Sequence, residues 1–257
     1  MSRIHPTAII DKTAKIGQTS TVGPYCIIGA GVIIGEECRL RAHVTIAGPS
    51  KVGNRNTFYP YCSIGHRSQD LKYEAEPTYL EIGDNNTFRE FVTANRGTLP
   101  GSTTRIGSHG NFLAYSHIAH DCIVGDHVVF SNNGTLAGHV QVGDHAVIGG
   151  LSGIHQFCRI GAHSIIGGCT KIVQDVPPFL IADGNPAEVR GVNLVGLERR
   201  GFEVEAIREL REAYKVIYRS NLNTSQAVEA LRNQFPGSEL VQYLVNFIAT
   251  SERGIVR

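Results

Sequence analysis

The chain has 257 residues, 42% of them hydrophobic and 18% charged, with a formal net charge of +1. That balance suits a globular protein of one or two domains and gives no electrostatic support for binding nucleic acid. No apolar run is long enough to cross a bilayer, and no charged-then-apolar start resembles a signal peptide, so a cytoplasmic protein without a transmembrane segment is expected.

From Ile4 onward the sequence advances in six-residue units. Ile4, Ile10, Ile16, Val22, Ile28, Ile34, Leu40, Ile46, Val52, Phe58 and Ile64 lead the first hexads, and Ile106 to Ile172 lead an unbroken second series. Four residues after each leader stands a small side chain, among them Cys26, Cys38, Cys62, Cys122 and Cys158. A helix would repeat apolar residues about every 3.6 positions and an ordinary strand every second one. A hexad with one large and one small apolar slot fits short strands turning the corners of a prism, so the fold expected is an all-β parallel β-helix. Three hexads then make one coil, residues 18 apart stack, and each coil rises about 4.8 Å. Glycines such as Gly17, Gly23, Gly29 and Gly35 directly follow their leaders, where they are expected to supply the positive φ of a tight corner. The five slot cysteines read as small buried hydrophobes; Cys169 is off the slot, and no C-x-x-C pair suggests a metal site.

Two stretches break the register. The polar run at about 66–79 and the turn-rich run at about 94–104 read as excursions from the prism, and the first carries Asp70 and Lys72. Val176-Pro177-Pro178 is expected to end the coil, because proline has no N–H to give a ladder. The β-helix is therefore assigned to 1–184. Residues 185–257 read as a connecting segment and an α-helical C-terminal domain: Ala206 to Ile217, Ala227 to Phe235 and Leu240 to Ile248 have helical spacing, with Ser238 as a cap. This tail should cover the apolar end of the solenoid.

Of eleven histidines, His43, His109, His127, His139, His145 and His163 share the slot three after the leader, which marks a corner that tolerates histidine. His120 stands two after its leader, as only His66 also does, and Asp121 follows it. Hexads led by Ile118, Leu136 and Ile154 should stack, gathering His117, His120, Asp121, Gly138, His139, His155 and Gln156 on one patch. Such a patch can hold zinc, since three histidines suffice as ligands, or can provide a general base whose second nitrogen is held by a carboxylate. A scaffold with structural histidines is the third reading. The two excursions, Lys72 and the helical tail would have no use in a small zinc hydratase.

The hexads, with HIAHDC (117 to 122), LAGHV (136 to 140), IHQFC (154 to 158), QDLKY (69 to 73), QDVPP (174 to 178) and RRGF (199 to 202), resemble the UDP-N-acetylglucosamine O-acyltransferases, members of the left-handed β-helix acyltransferases. The resemblance spans essentially the whole chain. It implies a left-handed hexapeptide-repeat solenoid with a small helical C-terminal domain, and the first step of lipid A biosynthesis: transfer of a 3-hydroxyacyl group from acyl carrier protein to the 3-hydroxyl of UDP-N-acetylglucosamine. By that resemblance His120 is the general base, Asp121 orients it, and the Gly138 N–H stabilises the oxyanion. Gln69, Asp70, Lys72, His117, His139, His155 and Gln156 would contact the sugar nucleotide; Asn193, Arg199 and Arg200 would hold its uridine diphosphate end; Gly168 stands at the position that measures acyl length, where glycine would leave the channel deep and favour longer chains. No metal or other cofactor is implied. A homotrimer with sites between neighbouring prisms is expected, and Lys171, Arg190, Arg199 and Arg200 are candidates for docking the acidic carrier protein. Two departures stand out: Val195 replaces a frequent glutamate, and Pro186 a histidine. The related N-acyltransferases carry a separate N-terminal uridine-binding domain, for which hexads beginning at Ile4 leave no room.

Overall fold

The structure is a computed structural model that describes residues 3–257. Among the described residues three sheets of nine, eight and ten strands form the faces of a prism. The first face runs from Ile9–Ile10 to Lys171–Ile172 and the second from Lys15–Ile16 to Arg159–Ile160. The third runs from Thr21–Val22 to Leu180–Asp183 and closes on Glu188–Val192. Every pairing is parallel except that last one. Leaders stack on leaders in the expected register: Ile118 on Leu136 and Leu136 on Ile154.

From Val22 onward the leader and small slots fill the interior of the prism, the small slot including polar residues such as Asn56, Asn86 and Ser116. Leaders and the residues two before them point inward, as alternation along a strand requires, and Phe58, Phe88 and Phe112 stack at 4.9 and 4.8 Å along the axis. The five slot cysteines are buried and Cys169 is exposed. Four of these thiols tie into the next coil, among them Cys26 donating to Arg41 O at 2.8 Å and Cys122 to Ala137 O at 3.2 Å. Burial pushes the Cys62 thiol up to about 12, so it stays protonated and inert.

The corner glycines have a different cause from the one expected. Positive φ falls two residues later, at the third turn position, on Glu37, Arg55, Asn85, His109, His127 and others. Gly17, Gly35 and Gly149 are needed because coils touch there: a Cβ on Gly149 would lie 2.5 Å from the Gly167 carbonyl. Stacking of side chains offsets the left-handed backbone at the third turn position. His109, His127, His145 and His163 form a ladder with ring centroids 4.6, 4.6 and 4.7 Å apart, the structural role expected of this slot.

The excursions leave the prism at corners and return in register. Ile64 pairs with Ala94, a step of 30 residues, and Ile82 with Ile106, a step of 24, where other coils take 18. Ala94 is itself a buried leader, so the second loop starts only after Asn95. Pro177 and Pro178 do not end the ladder. They occupy a corner, where no strand needs their N–H, and Ile181 and Ala182 resume pairing with Ile165 and Ile166 before the chain reverses.

Four helices follow: α1 (Leu194–Arg199), α2 (Val204–Tyr218), α3 (Thr224–Gln234) and α4 (Glu239–Ala249). The short α1 lacks a readable apolar period, whereas the other three match theirs. Asn223 caps α3 in a box with Gln226. Ser238 stands before α4, but its hydroxyl binds Glu209 instead of capping the helix. Val189, Val256 and the Tyr214 and Tyr218 rings close the apolar end of the prism.

Gly149→Ala should lower stability by about 1–3 kcal/mol, because the carbonyl it meets is backbone and cannot move aside. Gly153→Ala, whose Cβ would meet nothing within 4 Å, should stay within about 0.5 kcal/mol. Equal midpoints in denaturant titrations of the two variants would refute the close-approach account.

Candidate active site

Successive turns at the corner between the first and second faces, Ala119–Cys122, Ala137–Val140 and His155–Cys158, bring the expected histidines onto neighbouring coils. His120 is 7% exposed and its ring lies against the next turn. A Cβ on Gly138 would stand 2.3 Å from its Cε1 and 2.5 Å from its Nε2, so only glycine admits this ring.

Asp121 occupies the left-handed slot, with φ +59, and turns its carboxylate back to His120 Nδ1 at 2.8 Å. A carboxylate can only accept, so Nδ1 carries the proton and Nε2 keeps a lone pair. The Thr98 N–H donates to both Asp121 oxygens at 3.3 and 3.1 Å, and the Asp121 N–H donates to Thr104 Oγ1 at 2.8 Å. Burial works to raise the Asp121 pKa, but the bonds from His120 and Thr98 outweigh it and hold the group down to about 2. His120 Nε2 stands 3.9 Å from Asp70 Oδ2, and His139 Nε2 3.7 Å from Asp121 Oδ2. His117 hydrogen-bonds Thr93 Oγ1 through Nδ1 at 2.6 Å; burial, with the nearby His120, pushes its pKa down.

The two excursions are zipped together beside this cluster. Ser68 and Thr98 share a hydroxyl bond of 2.6 Å, Asn95 Nδ2 donates to Arg67 O at 2.9 Å, and the Arg96 N–H donates to His66 O at 2.9 Å. The second loop thus buttresses Asp121, while the first carries Gln69 and Asp70 into a groove of about 640 Å³ with His66, Ser63 and Thr93. Lys72 is exposed, and its N–H binds Asp70 Oδ1 at 2.9 Å. Thr93, Thr98 and Thr104 were not foreseen as site residues. Their only sequence signal is their place beside or within the second interruption of the hexads.

Backbone donors differ between corners. Between the second and third faces the second turn residue's N–H is taken by a carboxylate of the next coil: Asn54 by Asp84, Ser108 by Asp126 and Asp126 by Asp144, at 2.7, 2.6 and 2.8 Å. The equivalent N–H of Gly138 has no acceptor among the described residues. A basic nitrogen and an open N–H therefore adjoin one another, the pairing that acyl transfer needs. His120, Asp121 and His139 also offer ligand atoms within 4.8 Å of one another.

The remaining candidates stand elsewhere. His155 and Gln156 lie one coil beyond Gly138 and are exposed. Gly168 is at the corner between the third and first faces, its Cβ position 3.4 Å from Gly150 O. Asn193 is buried as the cap of α1, its Oδ1 accepting from the Gly196 N–H at 3.1 Å and its Nδ2 donating to His163 O at 2.9 Å. Arg199 ends α1, and Arg200 donates to His145 O at 3.3 Å. This group thus lies along the histidine ladder, one prism face away from His120.

The sequence matches the second-domain signature of UDP-N-acetylglucosamine O-acyltransferase over residues 175–256 and the bacterial transferase hexapeptide signature (six repeats) over 13–48. Relatives from Thermodesulfovibrio yellowstonii and Halorhodospira halophila, both named as O-acyltransferases acting between acyl-carrier-protein and UDP-N-acetylglucosamine, are 47% identical over 258 residues and covered at 100% on both sides. The solved structure of LpxA from Acinetobacter baumannii superimposes with a TM-score of 0.96 at 47% identity, covering 100% of each chain. The UDP-N-acetylglucosamine acyltransferase of Francisella novicida gives 0.96 at 37% identity, covering 99% of this chain and 94% of that one.

Because the folded Asp121 pKa lies below the ordinary 3.8, its ionised form stabilises the fold above that value, and the stabilisation is lost as pH falls toward about 2. The wild type should lose roughly 2 kcal/mol across that window that Asp121→Asn does not lose. Denaturant titrations of both proteins at several acid pH values measure it, and parallel profiles would count against the assignment.

Proposed function

The chain belongs to the UDP-N-acetylglucosamine O-acyltransferase family, and on that premise we propose that it moves a (3R)-3-hydroxyacyl group from acyl carrier protein to the 3-hydroxyl of UDP-N-acetylglucosamine, the first step of lipid A biosynthesis. The observation that carries the mechanism is the His120–Asp121 pair set against the open N–H of Gly138. His120 Nε2 takes the proton of the sugar hydroxyl as its oxygen attacks the thioester carbonyl. The Gly138 N–H donates to the oxyanion that forms; such a donor typically contributes about 3 kcal/mol. Collapse breaks the carbon–sulfur bond, and the departing thiolate receives the proton from Nε2. Substrates and one imidazole account for every proton and electron pair, so no acyl-enzyme and no cofactor are needed.

Asp121 keeps the lone pair on Nε2 and stabilises the imidazolium that forms. Asp70, at 3.9 Å, adds negative charge beside the same nitrogen. His117, His139, His155 and Gln156 stand at this corner and Gln69 and Lys72 on the first excursion beside it; together they would bind the nucleotide sugar.

Arg199 and Arg200, with Asn193 beside them, would serve the diphosphate, but this group stands one prism face away from His120. That separation favours two copies contributing to one substrate site. A second prism whose α1 region faces the first copy's His120 corner completes the site, as in a closed homotrimer. Asn193, whose side chain is spent on the cap, would then place the arginines instead of touching the nucleotide. Gly168, on the third corner, would meet the acyl chain where two prisms abut.

Purified protein given UDP-N-acetylglucosamine and a series of 3-hydroxyacyl carrier proteins should yield the 3-O-acylated nucleotide by mass spectrometry, unaffected by chelator. His120→Ala should lower kcat by about 10²- to 10⁴-fold. Absence of product with every donor, or loss of activity in chelator, would overturn the reaction or the metal-free mechanism respectively. Shared sites predict complementation: co-refolded His120→Ala and Arg200→Ala chains should regain activity that neither has alone, because mixed assemblies pair an intact base with an intact arginine. Activity no greater than that of the separate variants would place the site within one copy.

A further inference from the structure

The C-terminal residues cross the last coils as a strap. The Asp175 N–H donates to Gly254 O and the Val256 N–H to Asp175 O, both at 2.9 Å, and the Ser251 hydroxyl donates to Asp175 Oδ2 at 2.8 Å. The strap forms one wall of a groove of about 740 Å³ that also includes Asp121 and His139, on the side of the cluster away from the excursions. From the strap, Arg253 reaches back to the corner that carries the histidines. Its Nε and Nη2 donate to Val173 O at 3.3 and 3.2 Å, and Nη2 stands 3.4 Å from His155 Nδ1.

His155 Nδ1 is also 3.1 Å from Gln156 O. The two contacts require opposite tautomers. A carbonyl accepts, so it needs the proton on Nδ1; a guanidinium only donates, so it needs a lone pair there. A hydrogen bond from a charged donor is about twice as strong as a neutral one, and a proton on Nδ1 would point at a cation. The guanidinium therefore prevails.

We infer that Arg253 is a positioning residue that fixes His155 with its proton on Nε2, so that this imidazole presents a hydrogen-bond donor to the substrate. The inference rests on His155 being a substrate contact, as proposed above; the acetamide carbonyl, hydroxyls and diphosphate of the nucleotide sugar all offer acceptors to such a donor. It also gives the strap a part in the reaction beyond closing the prism, since the residue that sets the tautomer lies 98 positions away in sequence.

Ring-labelled histidine in the full chain tests this by NMR, with the His155 signals assigned from their loss in His155→Gln. The wild type should show the Nε2–H tautomer. In Arg253→Ala the Gln156 carbonyl is left as the acceptor for Nδ1–H and the signals move to the Nδ1–H form, while KM for the nucleotide sugar rises about 3- to 10-fold with a smaller change in kcat. Arg253→Lys, which keeps a cationic donor, should recover part of both. Ser251→Ala loosens the same strap but leaves the guanidinium, and should retain the wild-type tautomer. A proton on Nδ1 in the wild type, or the same shift in Ser251→Ala as in Arg253→Ala, overturns the inference. A tautomer shift with unchanged KM upholds the role of Arg253 and removes His155 from the substrate contacts.

Discussion

The ladder of parallel backbone hydrogen bonds between consecutive coils is the constraint on which everything else depends. Each strand is only two residues long in most hexads, so no strand could persist alone. Order comes from stacking the same turn on the same turn, and this fixes what each slot can hold. The leader must be large and apolar, the small slot must fit a corner, and the residue after the leader often has no room for a Cβ. The third turn position must accept a left-handed backbone, a strain that ring stacking repays only if the neighbouring coils also carry flat side chains. Periodicity in this chain is thus a steric demand repeated coil after coil.

That demand explains how an enzyme corner can be both rigid and exceptional. His120, Gly138 and His155 are set by three consecutive coils, whose spacing the ladder fixes. Chemistry requires departures at particular slots. Asp121 sits where other corners place stacked rings, and its carboxylate turns to His120 and to the Thr98 N–H of the second excursion. Gly138 keeps an open N–H because the coil beyond it places Gln156, not an aspartate, at the capping slot. The excursions enter at the same place, and their mutual bonds surround Asp121 with donors strong enough to overcome the cost of burying its charge.

Much of this was legible in the residues. The six-residue period predicted the pairings of Ile118, Leu136 and Ile154, and the isolated slot of His120 beside Asp121 singled out the pair that the structure joins at 2.8 Å. What could not be read depended on contacts between coils or between distant segments. A glycine pattern looks the same whether it serves φ or close approach, so only the structure shows that the corner glycines serve close approach. Proline at a corner looks the same as proline ending a ladder, and Pro177-Pro178 was misread for that reason. The hold of Thr98 on Asp121 lies in a turn-rich loop whose composition gives no hint of a target. Counting hexads modulo three places Gly168 at another corner, but Asn193 and Arg200 lie beyond the hexads, and only their bonds to His163 and His145 place them along the histidine ladder.

Division of labour between repeat and non-repeat segments follows. A prism face is flat and cannot surround a substrate, so the walls of the two grooves come from what the hexads do not supply: the zipped excursions on one side of His120 and the C-terminal strap on the other. Ile255 and Val256 anchor the strap in the apolar core, but both the excursions and the strap reach the corner itself through polar bonds to backbone carbonyls or carboxylates, and such bonds specify orientation more than they add stability. The coils hold the imidazoles at fixed spacing, while the excursions and the strap decide which nitrogen of each carries a proton. Asp121, buttressed by the second excursion, does this for His120, and Arg253 of the strap does it for His155, with opposite results. One ring is left with a lone pair on Nε2 and the other with a proton there, so a base and a donor, two coils apart, arise from the same side chain.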